Sequence, residues 1–202
     1  MSEATTWDRL VDAHHRSNPT ATGSPAHEPT AAVLACSDAR VPPSVIFDQP
    51  AGSLFVVRIA GNTVNPAALA SLDYAVSVLD VDLLIVLGHT GCGAVTAAVE
   101  GTCDGDFGPI VEPICQVAAR FPDAGVDELV AHNVKNTIEE LTAHSGPVGA
   151  AHRSGELEIR GAVHDISVGT LSPVHHEQTP VHHEQTPIHH KQTEHTTKTE
   201  AP

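Results

Sequence analysis

The stretch DLLIVLGHTGCGAVTAAVE, residues 82–100, changes its pattern in the middle. DLLIVLGH (82–89) is a short run of branched apolar residues, the signature of a strand buried on both faces of a parallel sheet. Gly88 and Gly91 loosen the backbone that follows, and Gly93–Glu100 then reads as a helix. AAVLAC (31–36) and SLFVVRIA (53–60) repeat the strand signature upstream. A helix is expected between the second and third strands: Asn65 can cap it, Pro66 suits its first turn, and Leu69, Leu72, Val76 and Leu79 share one face. Further helices are predicted over 109–120 and 126–144, the latter with the stripe Leu129, Val130, Val134, Ile138 and Leu141, and further strands near 147–151 and 158–163. Alternation of this kind makes the fold α/β, with a mainly parallel sheet of about four to five strands flanked by helices.

The chain has 202 residues, which suits one domain with appendages, and three segments follow different rules. Residues 1–30 are polar and interrupted by Pro19, Gly23, Pro25 and Pro29, so a short leading helix at Thr6–His15 and then a loop are expected. Residues 31–172 carry the strand and helix pattern. From Pro173 the chain repeats PVHHEQT, PVHHEQT, PIHHKQT; a proline every seven residues and almost no apolar side chain exclude a coiled coil and predict a disordered tail. Seven of the 15 histidines lie in this tail. Adjacent imidazoles there can capture zinc, nickel or copper, and a solvated repeat without a role is the alternative.

Twenty-five acidic side chains against ten basic ones give a formal charge of −15, which argues against nucleic acid and anionic membrane surfaces as partners. Most of the excess lies in residues 1–172, with 21 acids and 8 bases, and suits either a salt-adapted surface or ordinary acidic solubility. No apolar run approaches the roughly 20 residues of a membrane span, and MSEATTWDRLVDAHHRSN lacks the apolar stretch of a signal peptide, so a cytoplasmic protein is expected. Four irregularly spaced cysteines suggest metal binding or burial and not a disulfide framework; Cys103 and Cys115 read as buried or incidental thiols.

Two strand ends carry chemistry, where open α/β sheets place their ligands. In CSDAR, Cys36 closes the first strand and Asp38 and Arg40 stand two residues apart, close enough to pair. In HTGC, His89 closes the third strand and Cys92 opens a helix, whose dipole favours the thiolate. Two thiolates and one imidazole select zinc and leave a tetrahedral position over, the arrangement of a catalytic site. Buried thiols and a capping histidine in an ordinary α/β domain would give the same spacing.

The wording around these motifs adds more. ACSDARVPP, FVVRIAGN, SLDYAV and VLGHTGCGAV, in that order, resemble the β-class carbonic anhydrases, and GAVHDISVG is similar to that family's closing strand and turn. The resemblance covers about residues 31–172. It implies that Cys36, His89 and Cys92 ligate Zn2+, that Asp38 and Arg40 form the neighbouring dyad, and that CO2 is reversibly hydrated to bicarbonate and a proton. In one subclass the aspartate becomes a fourth zinc ligand, so Asp38 has a second possible role. The resemblance also implies a homodimer or a dimer of dimers, with Phe55 and Tyr74 lining the substrate slot across the interface and Gly93 offering its backbone to substrate. Simple core packing is the alternative for both aromatics.

The sequence departs from the family at several points. His27 stands where the plant-like subclass has glutamine, Val33 where the bicarbonate-regulated subclass has tryptophan, and His164 where the closing motif usually has tyrosine. Arg58 matches an arginine of the regulatory site in that second subclass, but without the tryptophan an interfacial or structural job fits it better. His14, His15, His132, His144 and His152 have no companion ligands at suitable spacing. Two other functions share these features: a carbon disulfide or carbonyl sulfide hydrolase with the same zinc site, and a non-catalytic zinc-binding protein that works through its histidine tail.

Overall fold

In the computed structural model, residues 5–17 and 26–175 are described. In chain order they form α1 (Thr6–Ser17), β1 (Ala31–Ala35), α2 (Pro43–Ile46), β2 (Leu54–Arg58), α3 (Pro66–Val78), β3 (Leu83–His89), α4 (Gly93–Val99), α5 (Gly108–Arg120), α6 (Val126–Ala143), α7 (Pro147–Ser154), β4 (Glu158–His164) and β5 (Leu171–Val174). One five-stranded sheet runs in the order β2-β1-β3-β4-β5. The first three pairings are parallel, and β5 returns antiparallel to β4. This is the expected α/β architecture.

The central strands β1 and β3 form where the apolar runs predicted them because both faces are covered. All five residues of β1 are buried, as are Leu84, Val86 and Leu87 of β3. One face packs Leu34, Leu84, Val86 and Ile159 against Leu72 of α3 and Val134, Ile138 and Leu141 of α6. The opposite face holds Val33, Ala35, Leu87 and Ala162, with Ile46 and Phe47 laid over them. Gly88 makes no turn. It lies inside β3, and a Cβ there would meet Val134 Cγ2 at 2.7 Å and Val130 Cγ1 at 2.9 Å, so its missing side chain lets α6 press onto the strand. At the start of α3, the Asn65 side chain accepts a hydrogen bond from the Ala68 N–H at 2.8 Å.

Two expectations are corrected. The segment 147–151 is not a strand but the first turns of α7. Its PVGAA run is short and apolar, which suits either element, but Pro147 takes the first helical turn and Val148 is fully buried. Asp73 on α3 then pins the helix start, accepting from the Val148 N–H at 3.0 Å while its other oxygen lies 3.1 Å from His144 Nε2. The second correction concerns Cys103 and Cys115, which form a disulfide. The chain leaves α4 and doubles back along α5, bringing their Cα atoms to 6.0 Å, a proximity that spacing could not reveal.

At the other edge, β5 includes Pro173 and Val174, the first two residues of the seven-residue repeat. Pro173 is tolerated there because an edge strand need not donate on its outer side. The rest of the repeat, from residue 176, lies outside the described residues, as does the loop over 18–25. No helix among the described residues is long and apolar enough to cross a membrane.

Candidate metal centre

The sheet order fixes where a site can form. From β1 the chain crosses to β2 on one side and later to β3 on the other, so a crevice opens beyond the carboxyl ends of β1 and β3. Cys36 follows β1 directly, His89 ends β3, and Cys92 caps α4 three residues later. All three side chains are buried, and their Sγ and ring nitrogen atoms lie within 4.8 Å of one another.

This donor set fits a tetrahedral cation. The two sulfurs are 3.9 Å apart, and metal–sulfur bonds of ~2.3 Å would span a tetrahedral edge of about 3.8 Å. His89 Nδ1 lies 2.9 Å from the Thr90 carbonyl, which fixes the ring and turns Nε2 inward. Nε2 is buried without a hydrogen-bond partner, a costly state for a nitrogen unless an ion takes its lone pair.

Electrostatics prepare the sulfurs. The Cys36 thiol is pulled down to about 4, first by the Cys92 S–H and, against burial, also by His89 and by the N–H groups of Asp38 and Gly61. Cys92 is pushed up, first by sharing with Cys36 and then by burial. The two thiols are thus pulled in opposite directions, and a cation bound between them would favour the thiolate at both. Burial pulls the His89 imidazole down, but the neighbouring Cys36 sulfur outweighs it and the net shift is upward.

The Cys36 loop is held from three directions. Arg58 donates from Nε to the Cys36 carbonyl at 2.9 Å and from Nη2 to the Asp38 carbonyl at 2.5 Å, so its guanidinium has the structural job expected of it. Gly61 adopts φ +67°, which lets its N–H reach Cys36 Sγ at 3.3 Å, and a Cβ there would strike Ile114 Cδ1 at 2.6 Å. Asn133, buried on α6, donates to the Gly61 carbonyl at 2.8 Å.

Asp38 and Arg40 sit at the mouth of the crevice. Arg40 grips the carboxylate with both arms, Nε to Oδ1 at 3.0 Å and Nη2 to Oδ2 at 2.7 Å, and its own N–H bonds Oδ1 at 2.9 Å. The guanidinium therefore holds the Asp38 carboxyl well below the usual carboxylate range. Asp38 Oδ2 is 3.9 Å from His89 Nε2, beside the donor set while clasped to Arg40.

Sequence reasoning missed Asp127. At the start of α6, it accepts the Gly91 N–H at 2.8 Å, while Arg40 Nη2 donates to the Gly91 carbonyl at 3.4 Å. The only sequence signal is an acid in the first turn of a helix 36 residues downstream of Gly91. Phe55 and Tyr74 do not join the donor set in this chain. Their rings meet at a tilt with centroids 6.2 Å apart, His27 stacks on Phe55 at 6.4 Å, and Phe55 pairs with Ala32, four residues before Cys36 and about 13 Å back along β1 at roughly 3.3 Å per residue. Gly93 begins α4, exposed and next to Cys92, with open space where a Cβ would lie.

Comparison with known proteins places this geometry in a family. The family model described as carbonic anhydrase matches residues 31–171. Carbonic anhydrase 2 of Mycobacterium tuberculosis is 38% identical over 150 residues, covering 70% of this chain and 72% of that protein. The carbonic anhydrase of Mycolicibacterium smegmatis is 37% identical over 152 residues, covering 71% and 74%. Among solved structures, one of the two tetrameric β-carbonic anhydrases from Sordaria macrospora superposes with a TM-score of 0.67 at 26% identity, over 82% of this chain and 91% of that one. With its parallel sheet, its crevice and this sequence kinship, the chain belongs to the β-class carbonic anhydrases.

Proposed function

We propose that the chain hydrates CO2 reversibly to bicarbonate and a proton, using zinc held by Cys36, His89 and Cys92. The observation that carries this reading is the convergence of two sulfurs and an otherwise unpartnered buried imidazole nitrogen beside a clasped carboxylate. When bound, zinc supplies the Lewis acidity that makes hydroxide available near neutral pH. Thiolates favour zinc over harder ions, and three protein donors are the complement of a catalytic site.

The chain's own residues do the orienting. Asp38, kept ionised by Arg40, can only accept hydrogen bonds, so it would accept one from the attacking water or hydroxide and orient a lone pair of that oxygen toward the carbon of CO2. Arg40 also holds Asp38 in place beside the donor set, since it engages both carboxylate oxygens. Gly93, whose side of the helix is open, offers its backbone to the substrate. Phe55 and Tyr74 lie too far from their own Cys36 to wall this site, and Tyr74 is 48% exposed. They serve the crevice of a second copy, in a homodimer or a dimer of dimers.

Stopped-flow CO2 hydration with a pH indicator, run beside metal analysis and a panel of carbonyl sulfide and carbon disulfide, tests the reading. About one zinc per chain, rapid hydration and slow turnover of the sulfur substrates are expected. Zinc-loaded protein that turns over only the sulfur compounds would overturn it.

A further inference from the structure

We propose that the Cys103–Cys115 disulfide is a redox-modification site that governs how firmly the metal centre keeps its ion. This rests on the zinc reading above. The disulfide joins two elements that each reach a sulfur ligand from behind. Cys103 lies four residues after the end of α4, the helix whose N-cap is Cys92. Cys115 lies on α5 next to Ile114, a fully buried residue that fills the space a Gly61 side chain would need. Gly61 in turn donates its N–H to Cys36 Sγ. Clamping α5 to the segment after α4 therefore holds both Cys92 and the Gly61 amide in place. With the S–S bond open, α5 can shift, Ile114 relaxes from Gly61, and the hydrogen bond that supports the Cys36 thiolate weakens.

The disulfide is chemically reachable, since both cysteines are half-buried and Thr102 and Asp104 beside Cys103 are exposed. Opening it takes two electrons and two protons. A dithiol supplies them: one of its thiolates attacks a sulfur of the bond and displaces the other as a thiol, and its second thiol then closes the reductant's own disulfide and frees the second cysteine. Cys36 and Cys92, deeply buried and 3.9 Å apart, stay outside this exchange.

The test uses the full zinc-loaded chain, with a neutral phosphine as reductant because a dithiol would itself chelate zinc. Phosphine reduction takes oxygen from water to form the phosphine oxide and leaves two thiols. Zinc transfer to a chromophoric chelator is timed with and without phosphine, for the parent chain and for Cys103→Ser. Reduction should hasten release about 3- to 10-fold in the parent, and Cys103→Ser should release at the fast rate under both conditions. Release rates equal within error would overturn the proposal, and so would four reactive thiols in the air-purified, metal-free denatured chain, where two are expected. A chain that binds no zinc would refute the zinc reading instead. Hydrogen exchange at the Gly61 amide then decides the clamp: faster exchange on reduction supports it, and no change overturns it.

Discussion

The chain contains two cysteine pairs that meet opposite fates. Cys36 and Cys92 approach to 3.9 Å, almost wholly buried, and remain free; Cys103, on the segment after α4, and Cys115, on α5, are half-buried and bonded. Proximity alone does not decide between these outcomes. The first pair is surrounded by groups that favour a thiolate: the N–H groups of Asp38 and Gly61 point at Cys36, and His89 stands beside it. Its sulfurs are spaced for an ion. The second pair has no such ring of donors among the described contacts, and its bond staples α5 to the segment that follows α4.

The same substitution, Cys to Ser, should therefore act differently in the two pairs. Cys92→Ser removes a ligand, so zinc content should fall to a small fraction per chain and CO2 hydration should drop by on the order of 10³-fold or more, beyond the ~10- to 100-fold that outer partners of a metal site cost. Metal analysis and stopped-flow rates on one preparation measure both. Cys103→Ser should keep its zinc at equilibrium and release it faster. A Cys92→Ser chain with full zinc and full rate would erase the distinction between the pairs.

Arg40→Ala sharpens the comparison from the carboxylate side. It should lower turnover about 10- to 100-fold with zinc retained, since it removes an orienting partner and no ligand. It should also let the Asp38 carboxyl rise from its depressed value toward the ordinary 3.8. The sign follows from the shift: a depressed folded pKa stabilises the fold above the unfolded value and loses that contribution as pH falls below it. Parent stability should thus fall below about pH 4 more than that of Arg40→Ala, as paired urea titrations across pH 2–5 would show.

Gly61→Ala probes the wall behind the free pair. It forces a side chain onto a φ of +67° and against Ile114, and about 1–3 kcal/mol of stability should be lost, with faster zinc release. Asp127→Ala, the mildest change, removes one acceptor at an exposed position and should cut turnover roughly 3- to 5-fold, within the ~1 kcal/mol of an ordinary hydrogen bond. Asp127→Asn keeps an oxygen for the Gly91 N–H and should stay near the parent rate; equal losses in both variants would show that charge, not position, matters there.

Local chemistry explains which parts were legible before the fold was known. Strands β1 and β3 were readable because burial on both faces leaves an apolar run, β2 because it carries a similar run although it is a half-exposed edge strand, and Cys36, His89 and Cys92 because strand ends are where such sheets place ligands. What stayed hidden depends on distant returns of the chain. Asp127 meets Gly91 only after α4 and α5 have been laid down, and Cys103 meets Cys115 only because α5 folds back. The helix over 147–154 was hidden for another reason: five short apolar residues carry no period. Arg58 was expected to have an interfacial or structural job, and the two carbonyls it holds within the chain could be identified only in three dimensions.

The border of the sheet carries a last consequence. Its closing strand ends on Pro173-Val174, and the chain then writes the same dipeptide as Pro180-Val181 and a close variant as Pro187-Ile188. The first copy is masonry. A chain trimmed from its far end back to His175 keeps that course, whereas a cut at Ser172 pulls it out.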